Sequence, residues 1–173
     1  MKKKIVSIII LFVTISGILA MSACKKEETA EGIDKELYDM AQNTSGFTWY
    51  KNSNAFLDRS SGSGHNFPFL RTRYNSTAAN QLDSIGKIKT DASFAEGSFI
   101  VKELYNGDNS LARYAMLYKK PNDANADANG WIWGYINADG SVAVTATEKG
   151  NQCINCHTQT DNIDYMLMNK FFP

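Results

Sequence analysis

"GWIWGYINADGSVAVTA", residues 130–146, contains two short runs rich in aromatic and β-branched residues, 130–137 and 140–146. Between them "NADG" carries the Asp-Gly signal of a tight hairpin, so the two runs are expected to be antiparallel neighbours. Similar runs precede them: "GFTWYKN" (46–52), "FPFLRTRYN" (67–75), "GSFIVKELY" (97–105) and "LARYAMLYKK" (111–120). Turn-forming clusters separate these runs: "SSGSGHN", "NGDNS" and "PNDANADANG". Helical spacing shows at Ile33, Leu37, Met40 and Ala41 within "IDKELYDMAQN" (33–43), and Ser76 is a candidate cap for a short helix. "DNIDYMLMNKFF" is expected to close the chain as an amphipathic helix or turn. The fold class that follows is α+β, predominantly β: a single antiparallel sheet with peripheral helices.

The N-terminus reads differently. Lys2, Lys3 and Lys4 precede an apolar stretch from Ile5 to Ala20 and the small residues Ser22 and Ala23, the organisation of an export signal. Met21-Ser22-Ala23-Cys24 resembles the bacterial lipobox, with Met21 where leucine is usual, which makes Cys24 the expected lipidation site. The expected location is therefore that of an exported, membrane-anchored bacterial lipoprotein, in the periplasm or on the outer-membrane surface. The polar "KKEETAEG" after Cys24 suits a short tether. Three lysines and no acids precede Cys24, so the exported part has 15 basic and 18 acidic residues and a net charge of −3. No basic patch argues for a nucleic-acid partner.

Two cysteines remain, in "CINCH" (153–157). A disulfide between Cys153 and Cys156 would close a loop too small to stabilise the fold much. Zinc needs four ligands and this cluster supplies three; a dithiol redox motif belongs at a helix start in a βαβ unit, which this pattern lacks. C-x-x-C-H is the signature of covalent c-type haem attachment. Cys153 and Cys156 are then the thioether tethers and His157 the proximal iron ligand, with one haem c per chain near the C-terminus. An electron carrier would fill the opposite axial position with Met or a second His. Met166 and Met168 follow His157 too closely to be expected there; Met116 and Met40 read as core. His65, the only other histidine, reads as a surface residue of a Gly/Ser loop. The distal position is expected to be open to a small molecule.

In "SFIVKELY", alternation puts Ile100, Lys102 and Leu104 on one face and Phe99, Val101, Glu103 and Tyr105 on the other. Lys102 interrupts an apolar stripe. It is either an edge-strand lysine that reaches water or a lysine held against the cofactor, where burial favours its nucleophilic neutral amine.

"FAEGSFIVKELY" (94–105), "FPFLRTRYN" (67–75), "GWIWGYINADG" (130–140) and "CINCHTQTDNIDYMLMNKFFP" (153–173) together resemble the cytochrome P-460 family, which includes the β-type cytochromes c′. The resemblance covers residues 46–173. With the export signal and tether, the expected organisation is a lipoprotein signal peptide (1–23), a lipid tether with a short helix (24–45) and a haem domain (46–173). The resemblance implies a mostly β fold, often paired as a homodimer, and a five-coordinate high-spin haem. In the enzymatic branch a lysine is bonded to the porphyrin edge, and the protein oxidises hydroxylamine or nitric oxide and passes electrons to a redox partner protein. Lys102 matches that lysine by position. The β-type cytochromes c′ lack the bond and bind nitric oxide or carbon monoxide. Enzymatic members use a distal carboxylate; Glu148, five residues before Cys153, is the candidate, with a solvated loop glutamate as the alternative. Arg71 is a candidate for a haem propionate or a distal ligand, and Arg73, facing the same way, is its equal rival. Phe67, Phe69 and Trp133 either line the pocket or pack in the core. Three functions follow: hydroxylamine or nitric oxide oxidation, gas binding without turnover, and electron transfer.

Overall fold

The computed structural model describes residues 28–173. The expected signal peptide and the lipidation site Cys24 lie outside the described residues. Seven strands form one antiparallel sheet: β1 (Thr48–Trp49), β2 (Leu57–Asp58), β3 (Phe69–Tyr74), β4 (Phe99–Tyr105), β5 (Leu111–Lys119), β6 (Trp131–Asn137) and β7 (Val142–Val144). The sheet order is β1-β3-β4-β5-β6-β7, with β2 also paired to β3. From β3 onward consecutive strands are neighbours, as short turn-rich connections favour. The 130–146 stretch forms the expected hairpin: Ile136 pairs with Val142, and Gly140 takes a positive φ in the turn. The two-residue β2 is a strand that the sequence pattern does not announce.

Period-2 alternation sorts the side chains into two cores. On one face Phe99, Val101, Met116, Ile132 and Ile136 pack with Leu37 and Ala41 of helix α1 (Gly32–Gln42). The first turn of α1 also buries Asp34, which accepts hydrogen bonds from Thr145 Oγ1 (2.6 Å) and the Ala146 amide (2.8 Å) beyond β7. On the opposite face Leu70, Tyr74, Ile100, Leu104, Leu117, Trp131 and Trp133 pack against the C-terminal segment through Tyr165, Met166 and Met168.

Three further helices are each one turn long: α2 (Ser76–Ala79), α3 (Ile154–His157) and α4 (Met168–Phe171). The cap of α2 is Asn75 rather than Ser76. Its side chain accepts from the Ala78 amide (2.9 Å) and the Phe99 amide (3.0 Å), tying the helix to the start of β4. The C-terminal stretch is mostly turn, because Asp161, Asp164 and Tyr165 adopt positive φ and interrupt any continuous helix.

Candidate functional site

The cysteine–histidine motif starts from a left-handed glycine. Gly150 has φ +72°, and a Cβ on it would lie 2.5 Å from Trp133 Cδ1, so only glycine lets the chain turn this close to β6. The Cys153 and Ile154 amides then donate to the Gly150 carbonyl (2.7 and 2.9 Å). The Cys156 and His157 amides both donate to the Cys153 carbonyl (3.1 Å each), winding the motif into α3. Spacings of three and four residues put Cys153, Cys156 and His157 on one side of that turn. All three line a cavity of about 230 Å³ above the sheet face that also carries Ile100, Lys102 and Leu117.

The His157 ring is oriented by the backbone. Its Nδ1 lies 2.7 Å from the Tyr165 carbonyl oxygen. A carbonyl can only accept, so Nδ1 carries the proton and Nε2 keeps the lone pair, the arrangement typical of a metal-bound histidine. Trp133 packs edge-to-face on the ring, with centroids 5.1 Å apart. Burial, reinforced by the Lys102 charge and opposed by the Tyr165 bond, pushes the His157 pKa down to about 4, so the ring is neutral at ordinary pH. The segment that supplies the carbonyl is itself clamped. Asp164 accepts from Trp131 Nε1 (2.9 Å) and the Phe94 amide (3.1 Å), while Asp127 accepts from Trp133 Nε1 (2.8 Å). This explains the Asp164-Tyr165 pair: a carboxylate that grips the sheet and a carbonyl that aims the histidine.

Both thiols are free, Cys156 exposed and Cys153 half-buried. Burial, then the charges of Glu148 and Cys156, raise the Cys153 pKa. Among the described residues, no three His, Cys, Asp or Glu side chains converge as a metal cage. Two accessible thiols, an imidazole with a free Nε2, and apolar walls from Ile100, Leu117, Met166 and Leu167 fit a tethered haem.

Lys102 belongs to a central strand, not an edge. It pairs with Thr72 of β3 on one side and Ala115 of β5 on the other. Its side chain is half-buried, lines the cavity beside Thr72 and Ala115, and has no hydrogen-bond or ion-pair partner among the described residues. Burial alone lowers its pKa to about 8.

Arg71 lies elsewhere. Pairing in register with Glu103 rather than with Lys102, it projects from the other face together with Arg73. Glu103 accepts from Arg71 Nε (2.6 Å), Arg73 Nε (2.9 Å) and Tyr105 Oη (2.5 Å). Burial raises the Glu103 pKa, but the bonds from Tyr105 and Arg71 and the two guanidinium charges outweigh it and lower the value. Arg73 also donates to the Asn43 and Ala41 carbonyls. Arg73 thus ties α1 to the sheet, Arg71 reaches the Asn54 carbonyl, and neither lines the cavity.

Glu148 is exposed in the turn after β7 and accepts from Gln152 Nε2 (2.7 Å); it does not line the cavity. Phe69 stacks on Phe56 outside the cavity, and Phe67 packs against the core beside it, under the guanidinium of Arg113. Trp133 does line it, as do Met166 and Met168. His65 is not a surface loop residue: it is half-buried, lines the same cavity, and has its ring centroid 6.2 Å from that of His157. Burial, with the charges of Lys102, His157 and Arg113, lowers its pKa well below the usual value. Only a loop-to-motif contact across ninety residues brings it there, and the local Gly/Ser composition gives no hint of that contact.

The family profile described as Cytochrome P460 matches residues 50–168, from just after β1 to the start of α4, and takes in Lys102, Cys153, Cys156 and His157. No curated protein and no solved structure matches the chain. With a predominantly β fold, a late C-x-x-C-H turn and a match over more than half of the sequence, this chain belongs to the cytochrome P460 family of c-type haem proteins.

Proposed function

We propose that this chain is an exported haem c protein that oxidises hydroxylamine or nitric oxide at an open coordination position of its iron. The observation that carries the reading is Lys102, an amine on a central strand with no hydrogen-bond or ion-pair partner among the described residues, lining the cavity shared by Cys153, Cys156 and His157. Haem supplies an iron that binds the nitrogen compound and accepts its electrons. Cys153 and Cys156 would tether the cofactor, and Nε2 of His157 would ligate it, with the ring held in place by the Tyr165 carbonyl. Ile100, Leu117, Met166 and Leu167 keep water from that side. Lys102 presents the neutral amine needed to bond the porphyrin edge, as the family resemblance implies. Export with lipid attachment at Cys24, and electron delivery to a redox partner protein, complete the reading.

A second reading, binding of nitric oxide or carbon monoxide without turnover, is favoured by one observation. Among the described residues no aspartate or glutamate lines the cavity, and Glu148 faces solvent. Steady-state oxidation of hydroxylamine with an added electron acceptor separates the two. The proposal expects turnover in the holoprotein and its loss in Lys102→Met. Tight nitric oxide binding with no turnover supports the second reading and refutes the first.

A further inference from the structure

We propose that residues 28–30 hold the folded domain against a lipid bilayer by the β7 edge of its sheet, so that the cavity works beside the membrane and not at the end of a long leash. The inference rests on the lipid attachment at Cys24 proposed above and concerns the orientation that the fold then imposes. Its first support is pairing. The Val142 amide donates to the Glu28 carbonyl (2.8 Å), the Ala30 amide donates to the Gly140 carbonyl (2.9 Å), and Thr29 forms an antiparallel bridge with Ser141. Ala30 is buried in the core that α1 shares with the sheet, and Tyr38 Oη of that helix donates to the Ala138 carbonyl (2.7 Å) in the β6–β7 turn. Composition reads residues 25–32 as tether, yet from Glu28 onward the chain covers an edge that would otherwise present open backbone groups.

The second support is length. Only residues 25–27 lie between Cys24 and Glu28. A residue spans at most about 3.6 Å, so the four steps from Cys24 to Glu28 reach no further than about 14 Å in any conformation. The sheet is wider than that: β7 and β1 lie at its opposite edges, five strand spacings of about 4.8 Å apart, or about 24 Å. A leash shorter than the sheet is wide cannot let the β1 edge turn to the bilayer. The third support is charge. Lys25 and Lys26 occupy the short span and match an anionic headgroup surface. The consequence reaches the cavity, because Val144, two residues along β7 from Val142, is part of its lining. Two residues advance a strand by about 7 Å, so this wall stays within about 20 Å of the lipidated cysteine.

The test uses lipidated holoprotein in vesicles of phosphatidylethanolamine and phosphatidylglycerol, with and without a nickel-chelating lipid. A nitroxide is carried on a ketone-bearing amino acid introduced at position 139, 147 or 55, which leaves Cys153 and Cys156 untouched. Asp139 and Thr147 are exposed beyond the two ends of β7, and Ala55 is exposed between β1 and β2 at the opposite edge. Nickel-dependent relaxation of the nitroxide is expected to be stronger by about fivefold or more at 139 and 147 than at 55, given the width of about 24 Å between the edges. Inserting about forty Gly/Ser residues between Lys26 and Glu27 leaves the pairing intact and adds a coil of about 35 Å, which should bring the three positions within about twofold of one another. Equal relaxation at the three positions in the original chain overturns the inference, as does a preference for 139 and 147 that survives the insertion. Intact mass reports separately whether Cys24 carries lipid, and an unmodified Cys24 overturns the lipid-anchor reading itself.

Discussion

Replacing Lys102 with arginine keeps a cation in the cavity but removes the capacity to become a neutral amine. Burial brings Lys102 from 10.5 to about 8. At pH 7 about one amine in ten is then neutral, against about one in three thousand for an ordinary lysine, an enrichment of about 300-fold. The sign is fixed by the charge type: the neutral, reactive form grows as pH rises toward 8 and saturates above it. A bond between Lys102 and the porphyrin edge would remove one hydrogen from nitrogen and one from carbon, and peroxide would take both up as water. Holoprotein carrying only the two thioethers, exposed to excess peroxide from about pH 6 to about pH 9, should therefore cross-link about tenfold faster per pH unit until about pH 8 and then level off. Mass analysis of the haem peptide and the position of the Soret band follow the reaction. Lys102→Arg should hold haem by two bonds only. A rate independent of pH below 8, or a third bond in Lys102→Arg, would refute the reasoning.

The other predictions concern the two faces of the sheet. Glu103→Gln leaves the fully buried Arg73 without its counter-charge, and urea unfolding should show a loss of about 3–5 kcal/mol with the haem spectrum unchanged; a loss under about 1 kcal/mol would show that the cluster is not structural. Because the folded pKa of Glu103 lies below its ordinary 4.5, its stabilisation is present above about that pH and disappears as pH falls through the lower folded value. Wild type should therefore lose its advantage over Glu103→Gln in acid. Glu148→Gln should leave hydroxylamine turnover within about twofold, whereas a fall of about 100-fold, the scale of a lost general base, would show that Glu148 reaches the substrate. Cys153→Ala should yield haem held by a single thioether, read as an altered pyridine haemochrome; an unaltered one would exclude Cys153 as a tether.

Much of this protein is local and therefore legible in its residues. The strands from β3 to β7 are visible as β-branched and aromatic runs, because a half-buried pleated surface selects those side chains wherever it occurs. The hairpin shows in Asp139-Gly140, and the haem anchor in five consecutive residues whose spacing makes one helical turn. Even the two faces of β4 follow from alternation.

What alternation could not supply is which neighbours those faces meet. Lys102 has the same local pattern on an edge as in the centre; only its pairing with Thr72 and Ala115 places it over the cavity. Arg71 carries the charge that a propionate needs, yet register puts it opposite Glu103 on the far face. Tyr165 orients His157 through a backbone carbonyl, an atom every residue has, so no side-chain pattern reveals it. What is written in contiguous residues was determined by the sequence alone: the hairpin, the thiol pair and the imidazole that follows it. That Lys102 lines the cavity beside this motif, and that Arg71 does not, depended on packing between segments far apart in the chain, and only the tertiary structure decided it.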